Sequence, residues 1–320
     1  MQERILEAIM FEPILKVKHL LVVGGTGFIG RWVVRGGIER GYRVSVLSRN
    51  LPEPIRKIEG VDYLKADISD RKSMLRAFET QQITHVVNLG GDINHSQYRN
   101  GGRKVIDTHF NGVLNLVHSL DWKHLECFTQ IGSSDEYGNA HAPQLEVQTC
   151  SPISNYSFAK LATNQFLQML HRTEGFPAIM LRLFLVYGPG QDQQRFFPQI
   201  ISACLNNKPF PTSYGEQLRD FCYVEDIVKG VFLALESKDC YGEIFNLASG
   251  LPISIRSMIE HTINLVGSGL PEYGKVQYRV GENMALYANV EKADTLLKWK
   301  PTTSLDEGLR KTVEYFRGDS

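Results

Sequence analysis

The sequence predicts an α/β protein with a doubly wound parallel sheet and a smaller α+β lobe towards its C-terminus. Two observations predict it. From residue 19 onward, short β-rich runs alternate with stretches of helical patterning, and after residue 187 the chain becomes richer in Pro, Gly and polar residues with shorter helices. Strands that alternate with helices form βαβ units, which place helices on both faces of a parallel sheet.

Seven strands and five helices are expected in the main sheet and its cover. The strands are predicted at residues 19–25, 42–49, 62–68, 84–90, 126–133, 178–187 and 243–248, and the helices at 28–40, 70–80, 104–120, 156–172 and 224–235. Shorter helices are predicted at 197–206, 254–266 and 303–316. We therefore predict a core domain of residues 19–187 and 216–250, and a lobe of residues 188–215 and 251–320.

Composition excludes several classes of protein. The 320 residues carry 35 Lys and Arg against 35 Asp and Glu, so no net charge attracts nucleic acid or an anionic membrane. Uncharged apolar runs are too short for a membrane span. Residues 1–18 carry charges that exclude a signal peptide, and their apolar spacing predicts an amphipathic leader helix. Five widely spaced cysteines without a CxxC pair fit a reducing compartment, and we expect a cytoplasmic protein with no metal site.

A glycine motif follows the first predicted strand. Gly24, Gly27 and Gly30 are spaced three residues apart, and Phe28 and Ile29 begin the helix that follows. Glycine allows the tight turn, lets backbone N–H groups approach a pyrophosphate, and lets helix and strand pack closely. The strand before the motif and the helix after it indicate a Rossmann-type dinucleotide site.

The end of the second strand bears on which dinucleotide binds. A site selective for NAD usually has a carboxylate there for the ribose 2′-hydroxyl, whereas arginine accommodates a 2′-phosphate. This chain has Ser48 and Arg49, and its next carboxylate is Glu53. We expect NADP(H), with NAD(H) as the alternative. At the end of the third strand, Asp67 and the adjacent Ile68 are expected near the adenine, although a loop aspartate also serves as a helix cap.

A tyrosine and a lysine on one helix predict acid–base chemistry. Tyr156 and Lys160 are four residues apart, so both side chains leave the same helix face. An ammonium near a phenol stabilises its anion and makes tyrosine usable as an acid or base. The strand before this helix ends at Ser133 and Ser134, which brings hydroxyl groups to the carboxyl edge of the sheet.

Together these motifs resemble the extended short-chain dehydrogenases/reductases that act on nucleotide sugars: epimerases, dehydratases and ketoreductases. The resemblance extends from about residue 19 to 316 and includes Leu-Arg-x-Phe at 181–184, Arg-Asp-Phe at 219–221 and Lys-Ala at 292–293. It implies that Tyr156 is the acid/base and that Lys160 binds the nicotinamide ribose and lowers the tyrosine pKa. It also implies that Ser133 hydrogen-bonds the reacting sugar oxygen, with Ser134 as the second candidate for this role. Arg219 is implied to bind the substrate diphosphate.

Some positions depart from the family pattern. Related dehydratases place Asp-Glu after the catalytic threonine, whereas this chain has Ser134 and Asp135 there and Glu136 one residue later. Leu185 replaces an asparagine of many epimerases. After the fourth strand, Leu89 and Gly90 lie in an unusual Asn-Leu-Gly-Gly turn expected to contact the cofactor. His109 replaces a common asparagine; for His95 and His109 we favour structural roles.

The resemblance leaves several functions open. We expect a reductase that uses NADPH on a 4-keto nucleotide-diphosphate sugar, in carbohydrate biosynthesis. The alternatives are a 4-epimerase or 4-dehydrogenase with tightly bound NAD, a 4,6-dehydratase, and a non-catalytic dinucleotide-binding regulator. The partner is expected to be a nucleotide-diphosphate sugar, without nucleic acid or membrane. By resemblance we also expect a homodimer through the helices at 104–120 and 156–172.

Overall fold

The computed structural model describes residues 17–91, 93–278 and 281–318. The leader helix predicted at residues 1–18 lies, up to residue 16, outside the described residues. The strands, in chain order, are β1 (His19–Val23), β2 (Arg43–Ser48), β3 (Val61–Lys65), β4 (His85–Asn88), β5 (Cys127–Ser133), β6 (Ala178–Leu183), β7 (Leu185–Tyr187), β8 (Pro209–Pro211), β9 (Leu218–Tyr223), β10 (Ile244–Leu247), β11 (Pro252–Ser254), β12 (Leu270–Glu272) and β13 (Ala285–Leu286).

The helices follow the alternation that the sequence predicts. They are α1 (Phe28–Glu39), α2 (Arg71–Phe78), α3 (Gly102–Ile106), α4 (Gly112–Ser119), α5 (Asn155–Glu174), α6 (Phe196–Leu205), α7 (Val224–Glu236), α8 (Ile255–Val266), α9 (Glu291–Leu297) and α10 (Leu305–Gly318). Within the described ranges, none of these helices has the length and apolar content needed to cross a bilayer.

Seven strands form one parallel sheet in the order β10-β6-β5-β4-β1-β2-β3. Apolar clusters cover both faces: one includes Val33 of α1 and Phe232 of α7, and the other includes Leu116 of α4 and Leu167 of α5. The predicted α/β, doubly wound fold is therefore confirmed. The strand order reverses between β1 and β4, and in open sheets of this kind ligands bind at the carboxyl ends of the strands beside such a reversal.

The chain changes sheets at Phe184. The single strand predicted at residues 178–187 is instead two strands, because β6 belongs to the main sheet whereas β7 pairs with β9 in a second, four-stranded sheet with β11 and β13. The buried ring of Phe184 packs against Tyr137, with 6.3 Å between ring centroids. The buried ring of Phe184 therefore lies at the point where the chain passes from one sheet to the other.

The helix predicted at residues 104–120 is interrupted. Between α3 and α4 the backbone makes a π-turn at Asp107–Asn111. The hydroxyl of Thr163 in α5 donates to the backbone carbonyl of His109 at 2.8 Å, which links this turn to the neighbouring helix. Single π-turns inside α-helices occur frequently at functional sites.

Two buried aspartates of the segment at 220–226 join distant parts of the chain. Asp220 accepts hydrogen bonds from the backbone of Ser249 at 2.6 Å and of Ala288 at 3.2 Å. Asp226 accepts from the backbone of Thr303 at 2.8 Å, and its own carbonyl accepts from the indole of Trp299. These carboxylates therefore fix the C-terminal segment against β9 and α7.

Candidate active site

The glycine turn between β1 and α1 is shaped to admit a ligand. Gly24 has φ +77°, in the left-handed region that favours glycine, and a Cβ on Gly30 would lie 2.3 Å from the carbonyl oxygen of Gly24. Gly27 is the exposed N-cap of α1 and has no side chain to cap the N–H groups of Phe28 and Ile29. The described residues thus provide the bare backbone and helix N-terminus that a pyrophosphate requires, so they fit a dinucleotide.

Three strand ends meet beside this turn. A Cβ on Gly24 would lie 3.1 Å from the carbonyl of Leu89, and the N–H of Leu89 donates to Val23 at 3.0 Å. A Cβ on Gly90 would lie 3.3 Å from the side chain of Ile68. The structure therefore brings these predicted cofactor residues, which are far apart in sequence, into contact with one another or with the turn.

The predicted adenosine end carries positive charge. The hydroxyl of Ser48 donates to the carbonyl of Asn50 at 2.8 Å, and Arg49 is exposed. The carboxylate of Asp67 accepts from the hydroxyl of Ser69 at 2.7 Å and from its N–H at 2.9 Å. Burial opposes ionisation of Asp67, but these bonds and the charges of Arg49 and Lys104 together lower the pKa of its carboxyl group.

Tyr156 and Lys160 lie in the first turns of α5. Ser154 caps this helix by accepting from the N–H of Ser157 at 3.1 Å. Both Tyr156 and Lys160 are buried, and Nζ of Lys160 donates to the carbonyl of Ile131 at 2.8 Å while lying 5.8 Å from the centre of the tyrosine ring. Burial lowers the pKa of the Lys160 amine to about 8, against the opposing charge of Glu136.

The phenol of Tyr156 is held in its protonated form. Burial, and then the charge of Asp135, raise its pKa above the usual value, and these effects outweigh a hydrogen bond with Ser133 that favours the phenolate. Ser133 also accepts from the N–H of Asp135 at 3.2 Å, and the neighbouring Ser134 is buried. The pKa of Tyr156 is thus raised here, whereas the resemblance implies that Lys160 lowers it, and the phenol carries its proton at neutral pH.

Glu136 is engaged in a buried ion pair. Its carboxylate accepts from Nε of Arg182 at 2.8 Å, from Asn164 at 2.8 and 2.9 Å, and from the N–H of Ser133 at 2.8 Å. The side chain of Glu136 is 0% exposed and that of Arg182 is 2% exposed. This carboxylate fixes the turn that carries Ser133, and it explains the arginine of the Leu-Arg-x-Phe segment.

Two histidines that the sequence analysis treated as structural lie against Tyr156. The ring of His109, from the π-turn, meets the tyrosine ring edge-on at 5.1 Å, and the ring of His95 does so at 5.5 Å. Nε2 of His95 is 3.7 Å from a carboxylate oxygen of Asp135. The replacement of asparagine by His109 was the signal in the sequence that pointed to this site.

Arg219 lies on β9 in the second sheet. Its guanidinium donates to the carbonyls of Leu218 at 2.7 Å and Asn283 at 2.8 Å, and it forms an ion pair with Glu282. Asn283 and Glu282 thus hold the Arg219 guanidinium from the C-terminal segment. Within the described residues, no group of three or more His, Cys, Asp or Glu side chains is arranged to hold a metal ion.

Comparison with known proteins places this chain among enzymes. A family model described as the NAD dependent epimerase/dehydratase family matches residues 20–248. A probable dTDP-glucose 4,6-dehydratase of Sinorhizobium fredii is 27% identical over 93% of this chain and 92% of its own length.

Solved structures agree with the sequence comparison. The UDP-glucose 4-epimerase of Thermotoga maritima, solved with UDP-glucose, is 28% identical with a TM-score of 0.85, covering 94% of this chain and 99% of its own. MoeE5, solved with UDP-glucuronic acid and NAD, is 25% identical with a TM-score of 0.83, covering 94% and 100%. These three similar proteins are thus a probable dehydratase, a 4-epimerase solved with a nucleotide sugar, and a protein solved with a nucleotide sugar and NAD.

Proposed function

We propose a reaction for this chain from the premise that its family match provides: it belongs to the NAD-dependent epimerase/dehydratase family. The chain is an enzyme of that family and uses a nicotinamide dinucleotide. We propose that it reduces the C4 carbonyl of a nucleotide-diphosphate 4-keto sugar and that NADPH is its reductant. The observation that supports this most directly is the burial of the Tyr156 phenol near Ser133, which raises its pKa and so favours the proton-carrying form.

Tyr156, Ser133 and Lys160, at the carboxyl edge of the sheet, have separate roles in the proposed reduction. When bound, the dinucleotide supplies the hydride. Tyr156 donates its proton to the forming C4 alkoxide, and the hydroxyl of Ser133 holds the same oxygen. Lys160, with a pKa of about 8, binds the nicotinamide ribose. The hydrogen bond of Ser133 strengthens as charge develops on oxygen, which is how such donors accelerate a reaction.

Arg49 supports NADPH as the phosphorylated cofactor. Arg49 is exposed after β2. Its charge and that of Lys104 both help to lower the pKa of Asp67, which follows β3. Two cations at this place suit a 2′-phosphate, whereas the described end of β2 offers no carboxylate for a 2′-hydroxyl.

Arg219 and Ser134 are proposed to contact the substrate, with Arg219 at the diphosphate.

A 4-epimerase or 4-dehydrogenase with tightly held NAD is the second candidate. The similarity to a UDP-glucose 4-epimerase and to a structure that holds NAD favours it. A 4,6-dehydratase is less well supported, because the carboxylate of Glu136 is already bonded to Arg182 and Asn164.

A homodimer through α3–α4 and α5 is also part of the proposal. Phe158 and Met169 are exposed on α5 and offer apolar surface for this contact. Light scattering at micromolar protein tests it, and the mass of a monomer would contradict it.

One purification separates the two candidates. The cofactor extracted from the protein is identified by mass and ultraviolet spectrum, and the protein is then assayed with a UDP-4-keto sugar and NADPH. Reduction with one NADPH consumed per sugar supports the reductase. Stoichiometric, non-exchanging NAD, together with interconversion of UDP-sugars at C4 and no net cofactor consumption, supports the epimerase and contradicts the reductase.

A charge reversal tests the cofactor assignment. Arg49→Glu is expected to lower kcat/KM for NADPH on the order of tenfold to a hundredfold, the worth of one or two hydrogen bonds to a charged group, while the value for NADH changes little. Arg56→Glu is the matched control, because Arg56 is an exposed arginine of the same connection between β2 and β3. Equal losses in both variants, or none in Arg49→Glu, contradict a role for Arg49 at the 2′-phosphate.

A further inference from the structure

The turn that carries Ser133 is bonded at its far end to the C-terminal segment. It is a single 3₁₀ turn, Ser134–Tyr137, with Ser133 as its N-cap and Gly138 as its C-cap. The N–H of Gly138 donates to the carbonyl of Asp135 at 3.2 Å, which closes the turn. The carbonyl of Gly138 accepts from the side-chain amide of Asn283 at 2.8 Å, across 145 residues of chain.

Asn283 also contacts Arg219. Its backbone carbonyl accepts from the guanidinium of Arg219 at 2.8 Å, and the neighbouring Glu282 forms an ion pair with the same guanidinium. The side-chain oxygen of Asn283 accepts from the N–H of Ala285 at 2.9 Å, which fixes the direction of the amide. One residue therefore joins the arginine on β9 to the carbonyl of Gly138.

The turn is thus held from two parts of the molecule. Its middle is held from the main sheet, because the carboxylate of Glu136 accepts from Nε of Arg182 on β6 at 2.8 Å. Its end is held by Asn283, from the segment that also holds Arg219. The position of Ser133 relative to Arg219 therefore depends on the bond between Asn283 and Gly138.

We propose that Asn283 is a positioning residue that holds Ser133 in register with a substrate diphosphate bound at Arg219. The inference rests on the proposed function, which assigns Ser133 to the C4 oxygen and Arg219 to the diphosphate. A nucleotide sugar bound through its diphosphate presents its sugar ring at a fixed distance, and Ser133 has to meet that ring at C4. Because Asn283 is bonded towards both places, the fold sets this distance before the substrate binds.

Asn283→Ser separates the two contacts of this residue. Serine keeps an oxygen for the N–H of Ala285 but is too short to reach Gly138, and the backbone carbonyl that binds Arg219 remains. The rate of hydride transfer from NADPH to a UDP-4-keto sugar, followed by nicotinamide absorbance in a single turnover at saturating substrate, is expected to fall on the order of tenfold. The dissociation constant of UDP, measured by calorimetry, should stay close to that of the parent.

A double variant shows whether the loss acts through Ser133. In the Ser133→Ala background the hydroxyl that is to be positioned is gone, so adding Asn283→Ser should lower the rate of hydride transfer no further. Gln168→Ala is the matched control, because the half-buried amide of Gln168 also donates to a glycine carbonyl, that of Gly242, at 3.0 Å, but at the amino end of the sheet. It should keep the parental rate and the parental affinity for UDP.

Each result decides one claim. A parental rate in Asn283→Ser, or a loss that is equally large in the Ser133→Ala background, overturns the positioning role. Weaker binding of UDP with an unchanged rate also overturns it, because Asn283 would then act on Arg219 alone.

The proposed reduction can fail separately. A parent that oxidises UDP-glucose with bound NAD but does not reduce a 4-keto sugar overturns the reduction, and the same variants, measured on that oxidation, still decide the role of Asn283. A parent that does neither overturns both, because Ser133 then has no C4 oxygen to meet.

Discussion

The two ends of the seven-stranded sheet each hold a pair of histidines in opposite surroundings. At the amino end, His19 and His85 are buried and bonded to Ser45 and Thr84 at 2.8 Å each. Burial lowers the pKa of both imidazoles, and that of His85 to about 4. Past the carboxyl ends, His95 and His109 lie on the loop and π-turn after β4 and contact Tyr156.

The difference follows from how the chain builds each end. At the amino end the histidines belong to strands, and buried hydroxyl groups of Ser45 and Thr84 bond to their nitrogens inside the protein. At the carboxyl end they belong to connections, which place them beside a titratable tyrosine. The same side chain is therefore part of the buried core at one end and packs against the candidate catalytic tyrosine at the other.

The largest expected effect contrasts two tyrosines. Tyr156→Phe is expected to lower kcat by a factor of about 10²–10⁴, because it removes the proton donor while the ring still fills its space. Tyr241→Phe removes a hydroxyl at the amino end that donates to the carbonyl of Glu126 at 2.5 Å, and should leave kcat unchanged. Steady-state turnover with dinucleotide titration checks both. A Tyr156→Phe enzyme that turns over normally would place the acid elsewhere, and Ser134→Ala and Glu136→Gln would then be assayed.

The next effect contrasts two ion pairs. Glu136→Gln leaves the charge of Arg182 buried without its counter-ion and is expected to cost about 3–5 kcal/mol in the free energy of unfolding. At the amino end, the side chains of Lys292 and Glu243 are 25% and 47% exposed, so Glu243→Gln should cost about 1 kcal/mol or less. Denaturant unfolding measures both. Unchanged stability together with lost activity in Glu136→Gln would show that Glu136 acts in the chemistry, as the dehydratase alternative requires.

The third prediction concerns acid stability at the amino end. The unfolded chain protonates His85 near its ordinary pKa of 6.5, whereas the folded protein protonates it only near 4. The unfolded state therefore binds the extra proton between these values, and stability falls as pH falls from about 6.5 to 4, by about 3 kcal/mol from this residue. His85→Phe retains a ring against Tyr42 and should reduce that slope. His141→Phe, at an exposed position, should keep the parental slope; equal slopes in all three proteins refute the assignment.

Sequence reasoning predicted the fold and named candidate site residues, but it did not predict which side chains those residues contact. The glycine spacing, the Tyr156 and Lys160 pair and the strand alternation are local patterns, so they could be read directly. The sheet change at Phe184 and the π-turn at Asp107–Asn111 depend on contacts with distant segments, which local periodicity does not contain. The contact of His95 with Tyr156 depends on how a loop folds back over α5, and the burial of Glu136 depends on Arg182, 46 residues away.

The last and smallest effect tests how tightly the π-turn is held. Gly91 has φ +113°, and a Cβ there would lie 2.1 Å from the ring of His109. Gly91→Ala is expected to cost about 1–2 kcal/mol in backbone strain. It should also push His109 towards Tyr156 and lower kcat by about tenfold, since small misplacements of catalytic groups are costly. Gly60→Ala has a similar strain at φ +75° with no atom within 4 Å, so it should lose stability and keep its kcat.

A double variant separates strain from the clash in that last prediction. In Gly91→Ala with His109→Ala the imidazole is gone, so the added methyl group meets no ring and should lower kcat no further than His109→Ala does alone. Neighbouring residues that share a contact show such non-additivity, whereas independent ones do not. Additive losses of kcat in the double variant would mean that Gly91 acts on turnover by another route, and that the position of Tyr156 does not depend on the fit between this turn and His109.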